Sequence, residues 1–202
     1  MKKFALYVSI LVLSAFTVQQ PALTRDDKSF LLDQLESTKA TLLKDVSGLS
    51  DAQMQFKPAP DRWSVSECLE HIIKVEKGIF EQQQAAMKQA PNPEKRNEIK
   101  VTDSLLIKML ADRSHKRQTT ENMKPEGTYT SSAAAIEAFT TQRDQIINYV
   151  KSTNDDMRTH VISSPQGYMD AYQYMLLLAG HCGRHTQQIE EVKADPAFPR
   201  SN

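Results

Sequence analysis

Two histidines four residues apart, in the run His181-Cys182-Gly183-Arg184-His185, carry the plainest chemical signal in this chain. On an α-helix, residues i and i+4 stand on one face, one turn above the other, so both imidazoles can ligate one metal ion. Spacing alone is weak, because five histidines in 202 residues often fall four apart by chance. A solvated polar face or histidines packed in a core would give the same spacing. The face they occupy says more. Helical steps back from His181 reach Leu178, Tyr174 and Ala171, and steps forward from His185 reach Gln188, Ile189 and Val192. Both rings therefore continue an apolar stripe that points inward. A polar group buried there without a partner costs about 1–3 kcal/mol. A third ring, His71, sits at the edge of the stripe Cys68, Ile72, Val75, Ile79 on another helix. Three imidazoles meeting on one divalent cation would satisfy one another.

The elements that must position these rings are helical almost throughout. The fold class expected is all-α. The first helix is expected from about Asp26 to Ser47, ended by Gly48, on the recurrence of Leu31, Leu35, Leu42, Val46 and Leu49. In the following connector, Pro58 and Pro60 exclude a continuing helix. Helix two opens on a capping box, Ser64-Val65-Ser66-Glu67, and should reach Ala90. Residues 91–130 turn polar, with one short helix expected over Asp103–Arg113. A connection this long can cross the end of a bundle, so the helices it joins need not be antiparallel neighbours. Helix three should span Ser131 or Ser132 to Ser152, and helix four Asp170 to just before Pro196. No segment shows the alternation of a strand.

Composition narrows the function classes. Twenty-five basic side chains balance 25 acidic ones, which argues against an electrostatic grip on nucleic acid. Lys2 and Lys3 precede the mostly apolar run Phe4–Val18, which reads as a secretory signal peptide within residues 1–20. At 15 residues the run is short for a permanent span, which needs about 20. Cleavage, export to the periplasm or medium, and no lasting membrane anchor are expected. Without residues 1–19 the chain carries 23 basic against 25 acidic side chains. In an oxidising compartment Cys68 and Cys182 could pair, but both fall within expected helices, where free cysteine commonly packs as a small apolar group.

Other residues draw plainer readings. His115 and His160 are expected in solvent, Arg184 on an exposed helix face, and Trp63 as a staple between connector and bundle. Glu76 is turned about 140° from His71 round the helix and is a poor candidate base. Gly180 and Gly183 permit a close helix approach or leave room for substrate.

The segments LLDQLESTKATLLKDVSGLS, FKPAPDRWSVSECLEHIIKVE, ADRSHKR through MKPEGTYTSSAAAIEAF, and HCGRHTQQIEEV together resemble the DinB-like superfamily, in its branch of DinB/YfiT-type metalloenzymes. WSVSECLEHI and the H-x-x-x-H-x-x-Q pattern are the most specific pieces. The resemblance covers residues 24–198 and implies an all-α, DinB-like four-helix bundle with one long crossover between helices two and three, holding one divalent metal ion, zinc or nickel, on His71, His181 and His185. It places Gln188 behind the ligands or facing substrate. The activity implied is a hydrolase or a thiol-type transferase acting on a small-molecule substrate. The alternative is a metal- or ligand-binding bundle without turnover, and the blandest is a helical domain that merely packs its histidines. A homodimer is left open.

Overall fold

Side-chain caps start each long helix of the computed structural model, which describes residues 23–115, 117–129, 131–164 and 167–200. The elements are α1 (Arg25–Val46), α2 (Asp51–Gln55), α3 (Val65–Met87), α4 (Asp103–Ala111), α5 (Ser132–Ser152), β1 (Val161–Ser164), β2 (Gly167–Asp170) and α6 (Ala171–Lys193). Thr24 and Ser131 each accept a backbone N–H three residues on. Ser64 with Glu67, and Asp170 with Gln173, form full capping boxes. Each such cap is worth about 1 kcal/mol. Beyond α1, Gly48 takes a φ of 72°, the left-handed conformation that glycine adopts without steric cost.

The four long helices form the bundle. Residue numbers rise together between α3 and α5, where Ile73 meets Gln142, Glu76 meets Arg143 and Gln83 meets Tyr149. These neighbours are therefore parallel. Numbers run oppositely between α1 and α5, from Lys28 at Thr153 to Lys39 at Asp144. Between α1 and α6 they rise together again, from Asp27 at Tyr172 to Asp45 at Lys193. Joining two parallel neighbours requires a connection that travels back the length of the bundle, which is why α3 and α5 are separated by the long crossover carrying α4.

The crossover packs α4 against α6, and Gly180 makes that approach feasible. A Cβ at Gly180 would stand 2.6 Å from Leu110 Cδ1 and 3.1 Å from Leu110 Cβ. Gly180→Ala should gain about 1 kcal/mol in helix propensity but lose more to overpacking, for a net destabilisation of about 1–2 kcal/mol. Denaturant unfolding checks this, and a Leu110→Ala partner should recover part of the loss.

Two expectations about secondary structure need correction. Strands β1 and β2 pair antiparallel, Val161 opposite Asp170 and Ser164 opposite Gly167, where no strand was expected. Four-residue strands are too short to display alternation. Their outer edge is secured instead by Asn92, whose side chain bonds both the N–H and the carbonyl of Val161. The connector after Gly48 also contains the short helix α2, started by a Ser50–Gln53 capping box.

The signal-peptide expectation lies outside the described residues. No described helix is long and apolar enough to cross a membrane. Cys68 and Cys182 are both free and buried, and burial pushes each thiol up to about 12.

Candidate metal centre

Helix α3 delivers His71 from its second turn, and α6 delivers His181 and His185 from its middle. The ring centroids of His71 lie 5.0 Å from His181 and 4.6 Å from His185, and the α6 pair is separated by 4.5 Å. One ligand nitrogen from each ring lies within 4.8 Å of the others. All three residues singled out as ligands are thus brought to one point. His71 is buried, 3% exposed, and the α6 pair is partly buried.

Hydrogen bonds fix two of the tautomers. His71 Nδ1 lies 2.7 Å from the carbonyl of Met123, which can only accept, so that nitrogen carries the proton. His185 Nδ1 donates in the same way to Gln188 Oε1 at 3.0 Å. In both rings the proton on Nδ1 leaves the Nε2 lone pair free, the usual arrangement behind a metal-ligating histidine. Gln188 therefore stands behind His185, one turn on. The third ring differs: His181 Nδ1 is buried with no hydrogen-bond partner. A buried imidazole nitrogen that the described protein groups leave unsatisfied is a polar atom that a cation can satisfy.

The electrostatics agree with neutral ligands. Burial is the largest influence on each ring and disfavours its charge. It lowers His71, against the opposing Met123 carbonyl. It holds His181 well below the ordinary value, helped by the neighbouring His185 and His71. His185 is pushed down to about 3. Neutral imidazoles are the form a metal ion binds. The donor set of three nitrogens leaves a further coordination position, as in catalytic rather than purely structural zinc sites.

Trp63, expected as a staple, does more. Its ring lies 4.7 Å from His71 and stacks at 6.0 Å on His185, so the residue before the α3 cap walls one side of the cluster. Nothing local to Trp63 in the sequence announces this, because the contact depends on how α3 and α6 cross.

Two further expectations, for Arg184 and His160, are corrected by burial. Arg184 is only 6% exposed, and its guanidinium donates to the carbonyls of Leu110, Asp112 and His115, capping the end of α4. His160 is buried and bonded to the Asp156 and Gln89 carbonyls, away from the cluster. His115 lies at the surface, as expected. Glu76 is fully buried, paired with an equally buried Arg143.

Three carboxylates, on the helices that carry the histidines, are all engaged. Glu70 accepts from three backbone amides and a hydroxyl. Glu76 holds Arg143, and Glu191 holds Arg113 through both oxygens. A free general base is not found among these three.

A helical bundle with a long crossover between parallel neighbours and an inward three-histidine cluster defines a class of bundle suited to one divalent ion. The chain belongs to the DinB superfamily, whose family model matches residues 34–189. An uncharacterized protein of Bacillus subtilis strain 168, YuaE, is 23% identical over 150 residues, 74% of this chain and 88% of YuaE. Among solved structures, YfiT from Bacillus subtilis is similar in fold at a TM-score of 0.60 and 12% identity, over 89% of this chain and 93% of YfiT. That protein is described as "a probable metal-dependent hydrolase with an unusual four-helix bundle topology".

Proposed function

We propose that this protein is an exported metal-dependent hydrolase or thiol-type transferase that holds one zinc or nickel ion on His71, His181 and His185. The observation that carries the reading is the convergence of three neutral imidazoles within 4.8 Å, one of them with a buried, unpartnered nitrogen. When bound, a divalent ion at such a site supplies Lewis acidity and makes a water or thiol nucleophilic near neutral pH.

The chain's own groups do the positioning. Met123 and Gln188 hold the Nδ1 protons of His71 and His185, and Trp63 shields one side from solvent. Glu70, Glu76 and Glu191 are all engaged, so none of these three carboxylates is free to take a proton. That feature also favours a second reading, a metal-binding module without turnover. A panel of esters, amides and thiol–electrophile pairs separates the two. The first reading expects turnover that a chelator abolishes and zinc or nickel restores. Metal-loaded protein inert across the panel would leave the module. Export is read from Lys2, Lys3 and the apolar run after them, and recovery of the chain from the cytoplasmic fraction alone, still beginning at Met1, would sink it.

A further inference from the structure

The crossover does not merely pass over α3; it is tied down beside His71. The Glu70 carboxylate is buried, 4% exposed. One of its oxygens accepts from the amides of Glu126 at 2.9 Å and Thr128 at 3.3 Å and from the Thr128 hydroxyl at 2.6 Å, and the other from the Gly127 amide at 2.9 Å. Successive amides cupping an anion in this way form a backbone nest. Gly127 makes the cup possible with a φ of 75°. One turn on, Lys74 donates to the Lys124 carbonyl at 2.8 Å and pairs with the Glu126 carboxylate at 3.3 Å. Farther along α3, Met123 Cε lies 3.5 Å from where a Cβ at Gly78 would be. Residues 123–128 are thus a strap held by positions 70, 74 and 78 of α3, and its Met123 carbonyl is the acceptor for His71 Nδ1.

From this juxtaposition we infer that Glu70 is a positioning residue for the metal centre: by clamping residues 126–128 it holds the Met123 carbonyl on His71, and so fixes the ring that presents Nε2 to the ion. The inference rests on the three-histidine reading above. Its physical content is that a ligand already oriented and correctly protonated binds metal more tightly than one that must reorient. Removing such an outer partner weakens binding by about 10–100-fold. Linkage then requires the reciprocal effect. If the strap strengthens metal binding tenfold, bound metal must hold the strap closed by the same factor.

Two variants approach the strap from opposite sides. Glu70→Gln replaces an all-acceptor group with one whose NH2 must face at least one of the four donors. Gly127→Ala leaves Glu70 untouched and strains the cup, because alanine is disfavoured at that φ and the space around it is otherwise open. Full-length wild type and both variants are titrated with Zn2+ against a chromogenic chelator at a temperature where circular dichroism shows them folded. Zinc affinity is expected to fall at least tenfold in each variant. The 15N signals of His71 should show loss of the fixed Nδ1–H tautomer. In wild type, hydrogen exchange at the amides of Glu126, Gly127 and Thr128 should slow about tenfold on adding zinc. A purely structural clamp would lower the melting temperature of the variants but leave the zinc affinity of the folded protein and the His71 signals unchanged. Affinities within twofold of wild type, with those three amides freed in the variants, overturn the inference; so do amides that remain protected in both variants. If wild type itself binds no zinc, the three-histidine reading fails, and this inference with it; the distinction lies in whether wild type or only the variants lack affinity.

Discussion

Wild type should purify with about one metal ion per chain, and a His181→Ala variant without it. The expectation follows from the number of donors and from the state of the ring being removed. Three neutral nitrogens would share the cation, and structural zinc sites with four ligands bind with apparent energies of about 10–16 kcal/mol, so each ligand is worth roughly 3 kcal/mol and its loss should lower affinity at least ~100-fold. His181 is also the informative ring to remove. Its Nδ1 is buried and unpartnered in the metal-free chain, and leaving such a group unsatisfied costs about 1–3 kcal/mol. Alanine deletes that penalty along with the ring's packing, so the metal-free variant should stay folded. Elemental analysis reads the occupancy. The single tryptophan gives a second readout, because Trp63 lies against both His71 and His185: zinc should change its fluorescence in wild type and not in the variant. Zinc at 100 times its dissociation constant should stabilise wild type by about 2.7 kcal/mol and shift the variant's melting temperature little. A fully loaded His181→Ala protein would remove this ring from the ligand set, and with it the basis of the proposed chemistry.

The parts of this site that could be read in the sequence are those set by a single helix. His181, His185 and Gln188 share a face through spacing alone, and the Ser64–Glu67 capping box fixes where α3 begins and therefore which way His71 points. The bundle follows for the same reason, since the apolar stripes are local patterns. What sequence reasoning missed depends on pairs far apart in the chain. Trp63 meets His185 across 122 positions, and Glu70 meets the strap amides 56 to 58 residues away. Arg184 looks like any helical arginine until α4 brings its end to it. Some traces were present. Gly127 sits in a polar loop at a place where only a left-handed residue closes the cup. Glu76 and Arg143 each interrupt an inward stripe, Glu76 between Ile72 and Ile79 and Arg143 between Phe139 and Ile146. One inward charge on each of two neighbouring helices is a signature of a buried ion pair; judging Glu76 only as a base for His71 overlooked its partner.

That pair supports the largest stability change expected in the molecule. Arg143 and Glu76 are both fully buried, with Arg143 Nε 3.2 Å from Glu76 Oε2 and its other terminal nitrogen on Oε1. The guanidinium also donates, at 2.9 Å each, to the Leu35 carbonyl and the Thr38 hydroxyl on α1. One side chain thus links α5, α3 and α1, and the Cys182 thiol of α6, next to His181 in the chain, reaches the carbonyl of the same Thr38 at 3.8 Å. Burial opposes the charge on Arg143, but Glu76 beside it holds the guanidinium protonated. Removing either partner alone strands the other in the core, and Arg143→Met or Glu76→Leu should each lose about 3–5 kcal/mol in denaturant unfolding. Replacing both at once with apolar residues, Glu76→Leu with Arg143→Met, removes the stranded charge and should recover most of that loss. The double-mutant cycle therefore carries the argument. A coupling energy near zero, with single variants losing less than about 1 kcal/mol, would mean that solvent reaches the pair and that it does not bind the helices together. A strong coupling, with zinc affinity retained in the double variant, would assign the pair to holding the bundle and leave the orientation of the ligands to Met123 and Gln188, which meet the imidazoles directly.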